Sequence, residues 1–177
     1  MYFIHKNKTA IHSQHLIAEA LFRLMKRKPF LQITVTEICE EADIGRKTFY
    51  RNFELREDVI DFQLDLMLEK YKTELDSLSF KQYLHHHFVF VQENKDYFIA
   101  LYNNGLSSLA HKKFSTLLPA TMPIWSENPI EQEYLSAYII YGIEAIQKVW
   151  ISRGCVETID DVVAIVARAH DKQIPLC

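Results

Sequence analysis

The sequence predicts an all-α fold of about eight or nine helices, and three observations support it. Gly and Pro are scarce, at 4 and 5 of 177 residues, which argues against a β-rich fold with many turns. Apolar residues make up 49% of the chain, enough for a sizeable buried core. Many of them recur at intervals of three and four residues, which is the period of one helix face, and no segment predicts a strand.

The first helix is expected over about residues 9–28. Ile17, Leu21 and Leu24 recur at helical spacing and form one apolar stripe on it. The basic run KRK ends the segment just before Pro29. This suits a helix C-terminus, because cations there interact favourably with the helix dipole.

Two short helices joined by a tight turn are predicted for the stretch ITVTEICEEADIGRKTFYRNF. Thr34 is a good N-cap and Glu37 follows three residues later, so the pair predicts a capping box that begins a helix at Val35. Asp43 tolerates the turn conformation that ends this helix, and Gly45 opens the next one without steric cost. The stretch therefore has the local pattern of a helix-turn-helix.

The second helix of this pair has one apolar side and one basic side. Phe49 and Phe53 are four residues apart and can pack on Ile38 and Ala42 of the first helix. Lys47 and Arg51 lie on the opposite side, flanked by Thr48 and Tyr50. A short helix that is buried on one side and basic on the other is suited to contact a polyanion, as in a helix-turn-helix bound to DNA.

Further helical segments follow at about residues 56–75, 80–94, 95–103, 106–118, 129–152 and 159–170. The first of these is long and contains no helix breaker, so it can join the two parts of the chain. The run Asn103-Asn104-Gly105 is a clear stop between two of the others. The segment at 129–152 is the most apolar.

The net charge of −3 is unevenly divided along the chain. Residues 1–56 hold ten Lys and Arg against six Asp and Glu, a net charge of +4, and the remaining residues carry −7. A DNA-binding domain attached to a domain that does not bind DNA would show this polarity. Residues 1–55 are therefore predicted to form a three-helix DNA-binding domain with double-stranded DNA as its partner, and residues 56–177 a separate helical domain.

The segment at 129–152 is apolar around most of its circumference, which predicts burial on two sides. One side can face its own chain and the other a second copy, giving a homodimer; burial wholly within one chain is the alternative. Two-fold pairing suits a helix-turn-helix, because such proteins read paired half-sites about one DNA turn apart. The residues assigned to this interface are Tyr138, Gly142, Ile146, Trp150, Val162 and Val166.

These motifs resemble the TetR/AcrR family of bacterial transcription regulators, most strongly over about residues 9–60. The family pattern is matched at the right spacing by Thr34, Val35, Ile38, Ala42, Thr48, Phe49, Tyr50 and Phe53. The sequence departs from it at four positions of interest: Asp43 stands at the usual turn glycine, Lys47 at a small residue, Asn52 at a histidine and Arg56 at a lysine. The resemblance implies a homodimeric repressor that binds a palindromic operator and is released by an effector.

The resemblance also implies DNA-binding roles for individual residues. Thr36, Thr48, Tyr50, Asn52 and Arg56 occupy positions that contact the DNA backbone in the family. Arg46 and Lys47 are the candidates for base edges, since both residue types can pair with guanine in the major groove. Lys47 could instead grip a phosphate, and Arg51 is either a DNA contact or a solvated charge.

In the family, the second domain binds a small hydrophobic effector, so residues 56–177 are expected to be an effector-binding and dimerisation domain. Aromatic side chains with polar tips suit such a pocket, although any one of them can simply be core. The candidates are Tyr83, Tyr97, Tyr102, Trp125 and Tyr138. The alternative is a regulator whose second domain docks a partner protein instead of a small ligand.

Other kinds of site are not favoured. Consecutive helical residues point about 100° apart, so the three histidines at 85–87 cannot converge on one metal ion. Ser107 and Ser108 near His111 lack an orienting acid and an oxyanion loop, and the cysteines show no metal or disulfide spacing. We therefore expect no metal, no cofactor and no enzymatic activity. No apolar run approaches the ~18 residues that span a bilayer and no signal peptide is visible, so a cytoplasmic protein is expected.

Overall fold

The structure is a computed structural model that describes residues 2–3, 7–72, 78–115 and 126–171, the side chains of residues 169–171 excepted. These residues form nine α-helices and one short 3-10 helix, Phe30–Gln32, which confirms the all-α prediction. The helices are α1 Lys8–Met25, α2 Val35–Glu41, α3 Arg46–Asn52, α4 Arg56–Lys72, α5 Phe80–Glu93, α6 Lys95–Asn103, α7 Ser107–Ser115, α8 Pro129–Ser152 and α9 Ile159–Asp171. None of the helices in the described ranges could cross a bilayer.

The predicted helix ends agree with the structure except at α1, which ends at Met25 and not at residue 28. The N–H groups of Arg27 and Lys28 both donate to the carbonyl of Leu24, which tightens the chain into a turn. The following Pro29 disfavours helical geometry at the residue before it, so the basic run lies beyond the helix. The predicted continuations to residues 75 and 118 lie outside the described residues.

The chain folds as two compact units. The first comprises Met1–Lys70 and Tyr97–Ala110, and the second comprises Tyr71–Asp96 and His111–Cys177. The first unit therefore includes most of α4 and parts of α6 and α7. The division into functional domains after residue 55 stays a prediction, because a compact unit and a functional domain need not share a boundary.

In the first unit, α1, α2 and α3 each pack against the other two. The stripes expected from the sequence lie in this core: Ile17 and Leu21 on α1, and Phe49 on α3, are all essentially inaccessible to solvent. Phe53, just beyond α3, and Ile38 on α2 are equally buried. These three helices therefore form a rigid scaffold around shared apolar side chains.

In the second unit, α9 packs on α5 and α8. Phe88 of α5 meets the ring of Trp150 edge-on at 5.5 Å between centroids, and the indole N–H of Trp150 donates to the carbonyl oxygen of Glu157 at 3.0 Å. Trp150, Val162 and Val166 are each more than nine-tenths buried within a single chain. Their assignment to the surface between two copies stays a prediction, although little of their own surface is left for a second copy to cover.

A buried polar cluster lies in the second unit. His87 is enclosed, its Nε2 lies 3.0 Å from Oε1 of Gln147, and its Nδ1 lies 3.4 Å from the hydroxyl of Tyr71. Burial lowers the pKa of His87 to about 4. The geometry fits a neutral imidazole that donates to Gln147 and accepts from Tyr71.

The stability of the protein should fall as the pH is lowered from 6.5 towards 4. In this range the unfolded chain protonates its histidine at position 87 while the folded chain keeps the imidazole neutral, so protonation favours unfolding. We expect the free energy of unfolding to drop by about 2 kcal/mol between pH 7.5 and 5 through this residue alone. Urea titrations of wild type and His87→Gln at both pH values measure the difference.

The matched control is His85→Gln, because His85 lies on the same helix with a half-exposed side chain. That variant should keep the wild-type pH dependence, whereas His87→Gln should flatten it. Equal losses of stability in wild type and His87→Gln would contradict the assignment to His87.

The histidine run points in three directions, as the helical spacing indicated. His85 faces Asp160 at 3.8 Å, the ring of His86 stacks on Tyr71 at 4.8 Å, and His87 enters the core. Within the part of the chain that the structure describes, no three His, Cys, Asp or Glu side chains are grouped so that they could hold a metal ion.

Candidate nucleic-acid interface

Helix α2 begins as the sequence predicts. The backbone N–H of Glu37 donates to Oγ1 of Thr34 at 3.2 Å, and the N–H of Thr34 donates to Oε2 of Glu37 at 2.9 Å. Both halves of the capping box are therefore formed, and the helix starts at Val35. This fixes the first of the two helices in the motif.

The turn after α2 is a Schellman motif. The N–H of Ile44 donates to the carbonyl of Cys39 at 3.0 Å, and the N–H of Asp43 donates to that of Glu40 at 3.2 Å. Asp43 has a φ of 52°, in the left-handed region where glycine is usual. The expectation that Asp43 tolerates this turn is confirmed, and the turn carries a charge where glycine would carry none.

Helix α3 presents one face to the core and the other to solvent. Phe49 is fully buried against the scaffold, whereas the side chains of Arg46, Lys47 and Arg51 are exposed. Tyr50 is 48% exposed, and Thr48 lies between the two faces. The outer face of α3 is therefore a basic surface that also carries the phenol of Tyr50. Its orientation is fixed because the opposite face of the helix is buried in the core.

Two residues predicted to touch DNA have structural roles in this conformation. Asn52 is fully buried, and its side-chain amide donates to the carbonyl of Thr48 at 2.7 Å. Arg56 donates to the carbonyl oxygens of Phe30 and Ile33, and its guanidinium lies over the Phe30 ring at 5.0 Å. Both side chains therefore support the scaffold, and in this conformation neither is directed to a phosphate.

Much of the positive charge at the end of α1 is neutralised by α2. Nε of Arg23 lies 2.7 Å from Oε1 of Glu41, Arg27 binds the same carboxylate, and Lys28 pairs with Glu37. Hydrogen bonds from Lys28 and Thr34 lower the pKa of Glu37 to about 2, so that it stays ionised. The KRK run contributes less free charge than its composition indicates.

The cations of α3 differ from those of α1. Across the described residues, Arg46, Lys47 and Arg51 form no ion pair with any acidic side chain. Exposed cations without internal partners are available to phosphates and base edges. The outer face of α3 therefore exposes much of the net positive charge of residues 1–56 to solvent.

An open concave surface of about 500 Å³ lies where α2 meets the start of α3. Thr36 and Arg46, two residues assigned to DNA from the sequence, both line it. Glu40 and Asp43 line it as well, and Glu40 is not among the residues assigned to DNA from the sequence. Carboxylates at such a place can accept from the amino group of cytosine or repel a phosphate. Glu40 lies in the last turn of α2 and Asp43 in the turn that follows it, and this closeness along the chain was the signal that could have identified them.

A second surface of interest runs along α8. Its exposed apolar side chains recur at intervals of three, four and eight residues, so they lie on one face of the helix. They are Ile130, Tyr134, Tyr138, Tyr141 and Val149, each 58–75% exposed, and we call them the α8 stripe. The exposure of Tyr134, Tyr141 and Val149 could not be predicted from the sequence, because a helix that is apolar all round does not reveal which side its own chain covers.

A groove of about 470 Å³ adjoins the end of the α8 stripe, between α8 and α9. Ile146, Val149 and Ile165 form its apolar walls, and Arg153 pairs with Glu157 at its rim at 2.5 Å. Gly142 and Ile146 also line a smaller cleft of about 80 Å³ beside Tyr138. Of the predicted interface residues, Tyr138, Gly142 and Ile146 therefore lie at the surface.

The five residues predicted for an effector pocket lie in different surroundings. Tyr83 is buried beside His87, and Tyr138 is exposed on α8; both belong to the second unit. Tyr97 is buried beside Phe22 in the first unit, which also contains Tyr102. Trp125 lies outside the described residues.

Two comparisons with known proteins find regulators. A family model described as "Transcriptional regulator C-terminal region" matches residues 79–171. The dihydroxyacetone kinase operon activator DhaS is similar in structure, with 21% sequence identity, a TM-score of 0.61, and coverage of 93% of this chain and 97% of that one. The fatty acid degradation regulator FadR from Bacillus halodurans is similar with 14% identity, a TM-score of 0.66, and coverage of 94% and 96%. At these identities the two structures show the fold alone, and no curated protein sequence matches the chain.

Proposed function

The chain belongs to the TetR family of transcriptional regulators, and from this premise we propose that it is a cytoplasmic, homodimeric repressor that binds a palindromic DNA operator. The observation that carries the proposal is the outer face of α3. Three cations lie there without an ion-pair partner among the described residues, on a helix whose other side packs into a three-helix core. Such a face can enter the major groove.

Individual residues take different parts in this proposal. Arg46 and Lys47 stand at the start of α3, where a recognition helix comes closest to base edges, and we assign them to guanine O6 and N7. Thr36, Thr48 and Tyr50 carry hydroxyl groups around the same surface and suit phosphate oxygens. Arg51, one turn beyond Lys47, supplies further charge to the backbone.

The homodimer is supported by the α8 stripe and its flanking charges. Exposed tyrosines in a row are uncommon on a surface that stays in water, and they are enriched at protein interfaces. Helix α8 has Glu131 and Glu133 near its start and Lys148 near its end. Two antiparallel copies of α8 would therefore bring opposite charges together while they cover the stripes.

Control by an effector is part of the proposal for the second unit. The unit is rich in buried aromatic side chains, and its polar cluster of Tyr71, Tyr83, His87 and Gln147 shows that hydroxyl and imidazole groups lie within its apolar core. A small, largely apolar molecule with a polar end suits such surroundings. Docking of a partner protein on the second unit remains the alternative, which the exposed groove beside α9 favours.

Selection of bound duplexes from a random-sequence DNA library tests the function. We expect enrichment of a two-fold symmetric site whose half-site centres are about one helical turn apart, with affinity that falls steeply as salt is raised. A library from which no sequence is enriched, or equal affinity for all duplexes, would contradict a sequence-specific regulator. Repression is then tested with a reporter whose promoter contains the selected site.

A further inference from the structure

The first residues of the chain are bound to the helix-turn-helix. The backbone N–H of Phe3 donates to the carbonyl of Asn52 at 3.1 Å, and Tyr2 forms a β-bridge with Phe53. The carbonyl of Phe3 accepts from the side-chain amide of Gln14 at 2.7 Å. We call Tyr2 and Phe3 the N-terminal strap, because they cross the C-terminal end of α3 and are held from both sides.

The side chain of Tyr2 attaches the strap to α4. Its hydroxyl donates to Oδ2 of Asp65 at 2.8 Å, and its ring packs edge-on against Phe62 with 5.4 Å between centroids. The same ring lies 6.4 Å from that of Phe53, the residue that follows α3. The strap therefore connects the end of α3 to two other helices. It contacts α4 through Asp65 and α1 through Gln14.

Helix α3 needs such support because it is short. It has seven residues, and a helix of this length is not stable on its own. The last carbonyls of any helix lack partners within it, and the strap supplies an N–H to the final one. Tyr50 and Arg51 lie in this last turn, so the direction in which they point depends on how firmly the turn is held.

We propose that the N-terminal strap is a positioning element for DNA recognition: it holds the last turn of α3 in the orientation in which its outer face fits one operator sequence. The proposal rests on the DNA-binding function proposed above. None of the strap residues needs to touch DNA, because the strap acts through the backbone of Asn52 and through Asp65.

Two substitutions at one position separate the backbone contact from the side chain. Phe3→Pro removes the N–H that Asn52 accepts, whereas Phe3→Ala keeps it and shortens a side chain that is 43% exposed. We expect Phe3→Pro to weaken operator affinity by about tenfold and Phe3→Ala to leave it within about twofold. Tyr2→Phe, which removes only the hydroxyl bound to Asp65, should weaken it by about threefold.

The readout that separates positioning from mere stability is the ratio of operator affinity to random-duplex affinity, measured by fluorescence anisotropy at one salt concentration. A less stable protein loses both affinities in proportion, whereas a misplaced α3 loses the operator affinity and keeps the electrostatic one. An unchanged ratio in Phe3→Pro, or equal losses in Phe3→Pro and Phe3→Ala, would overturn the strap proposal alone. Failure of the wild type to prefer any duplex would instead overturn the proposed function, and the strap's role in recognition with it.

Discussion

Replacing Arg46, Lys47 and Arg51 together with alanine is expected to lower operator affinity by about 100-fold or more while the protein stays folded. Each pairing of an arginine or lysine with a base edge or phosphate contributes about 1–3 kcal/mol, and a homodimer loses the set twice. The three side chains are exposed and form no ion pairs in the described part of the chain, so their removal leaves no buried charge. Anisotropy titrations at several salt concentrations measure both the affinity and its salt dependence.

A control with the same change of net charge is available away from α3. Lys72, Lys81 and Lys112 are exposed lysines, and their joint replacement by alanine also removes three positive charges from each chain. That variant should bind like the wild type. The α3 variant should also show a shallower dependence of log K on log salt, by about 0.9 for each phosphate that the protein no longer neutralises. Equal behaviour of the two triple variants would mean that α3 is not the DNA-binding surface.

Val149→Glu is expected to convert the dimer into monomers and to reduce operator affinity by about 100-fold. Val149 is 58% exposed within one chain, so the fold tolerates a carboxylate there. In the proposed interface the same carboxylate would be buried against apolar side chains, and Arg153 nearby is already paired with Glu157, so the change costs several kcal/mol for each copy. Sedimentation of the wild type and the variant at micromolar concentration gives the oligomeric state directly.

Val156→Glu is the matched control, because Val156 is 76% exposed and lies between α8 and α9, off the α8 stripe. It should remain dimeric and bind the operator with wild-type affinity. A dimeric Val149→Glu protein would place the interface elsewhere, and a monomeric wild type would contradict the homodimer itself.

The helices could be predicted from the sequence because their signals are local. Thr34 and Glu37 mark the start of α2 within four residues, and both of their hydrogen bonds are present in the structure. The alternation of apolar and polar residues on α3 likewise placed Phe49 inside and Lys47 outside. Signals of this kind depend on neighbours along the chain, which a sequence displays directly.

The roles of several polar residues could not be predicted, because they depend on distant partners. Arg56 binds the carbonyls of Phe30 and Ile33, more than twenty residues earlier, and no local pattern announces this. The cap at the start of α4 was equally hard to predict. Leu55 looks like a weak cap, yet the carboxylate of Asp58 accepts from the N–H groups of both Glu54 and Leu55.

Burial on α8 was equally inaccessible to pattern analysis. Tyr138 and Trp150 are both large aromatics on the same apolar helix, but Tyr138 is 64% exposed and Trp150 only 2%. The difference arises from the elements that pack on each side: α5 contributes Phe88 beneath Trp150, and the sequence of α8 contains no sign of it. The homodimer could therefore be proposed from the sequence, whereas which apolar residues of α8 are exposed on a single chain could be read only from the structure.

We expect a lower pH to reduce the folded fraction of the protein before it changes how the folded protein binds DNA. Hydrogen bonds from Lys28 and Thr34 keep the pKa of Glu37 at about 2, and those from Arg23 and Arg27 hold the pKa of Glu41 below its usual range, so these pairs do not open in mild acid. Helices α2 and α3 contain no histidine, the residue type that ordinarily changes charge between pH 7.5 and 5. His87, in the second unit, is a residue whose protonation is coupled to unfolding. Lowering the pH would thus weaken folding through a residue of the second unit, whereas the basic outer face of α3 belongs to the first.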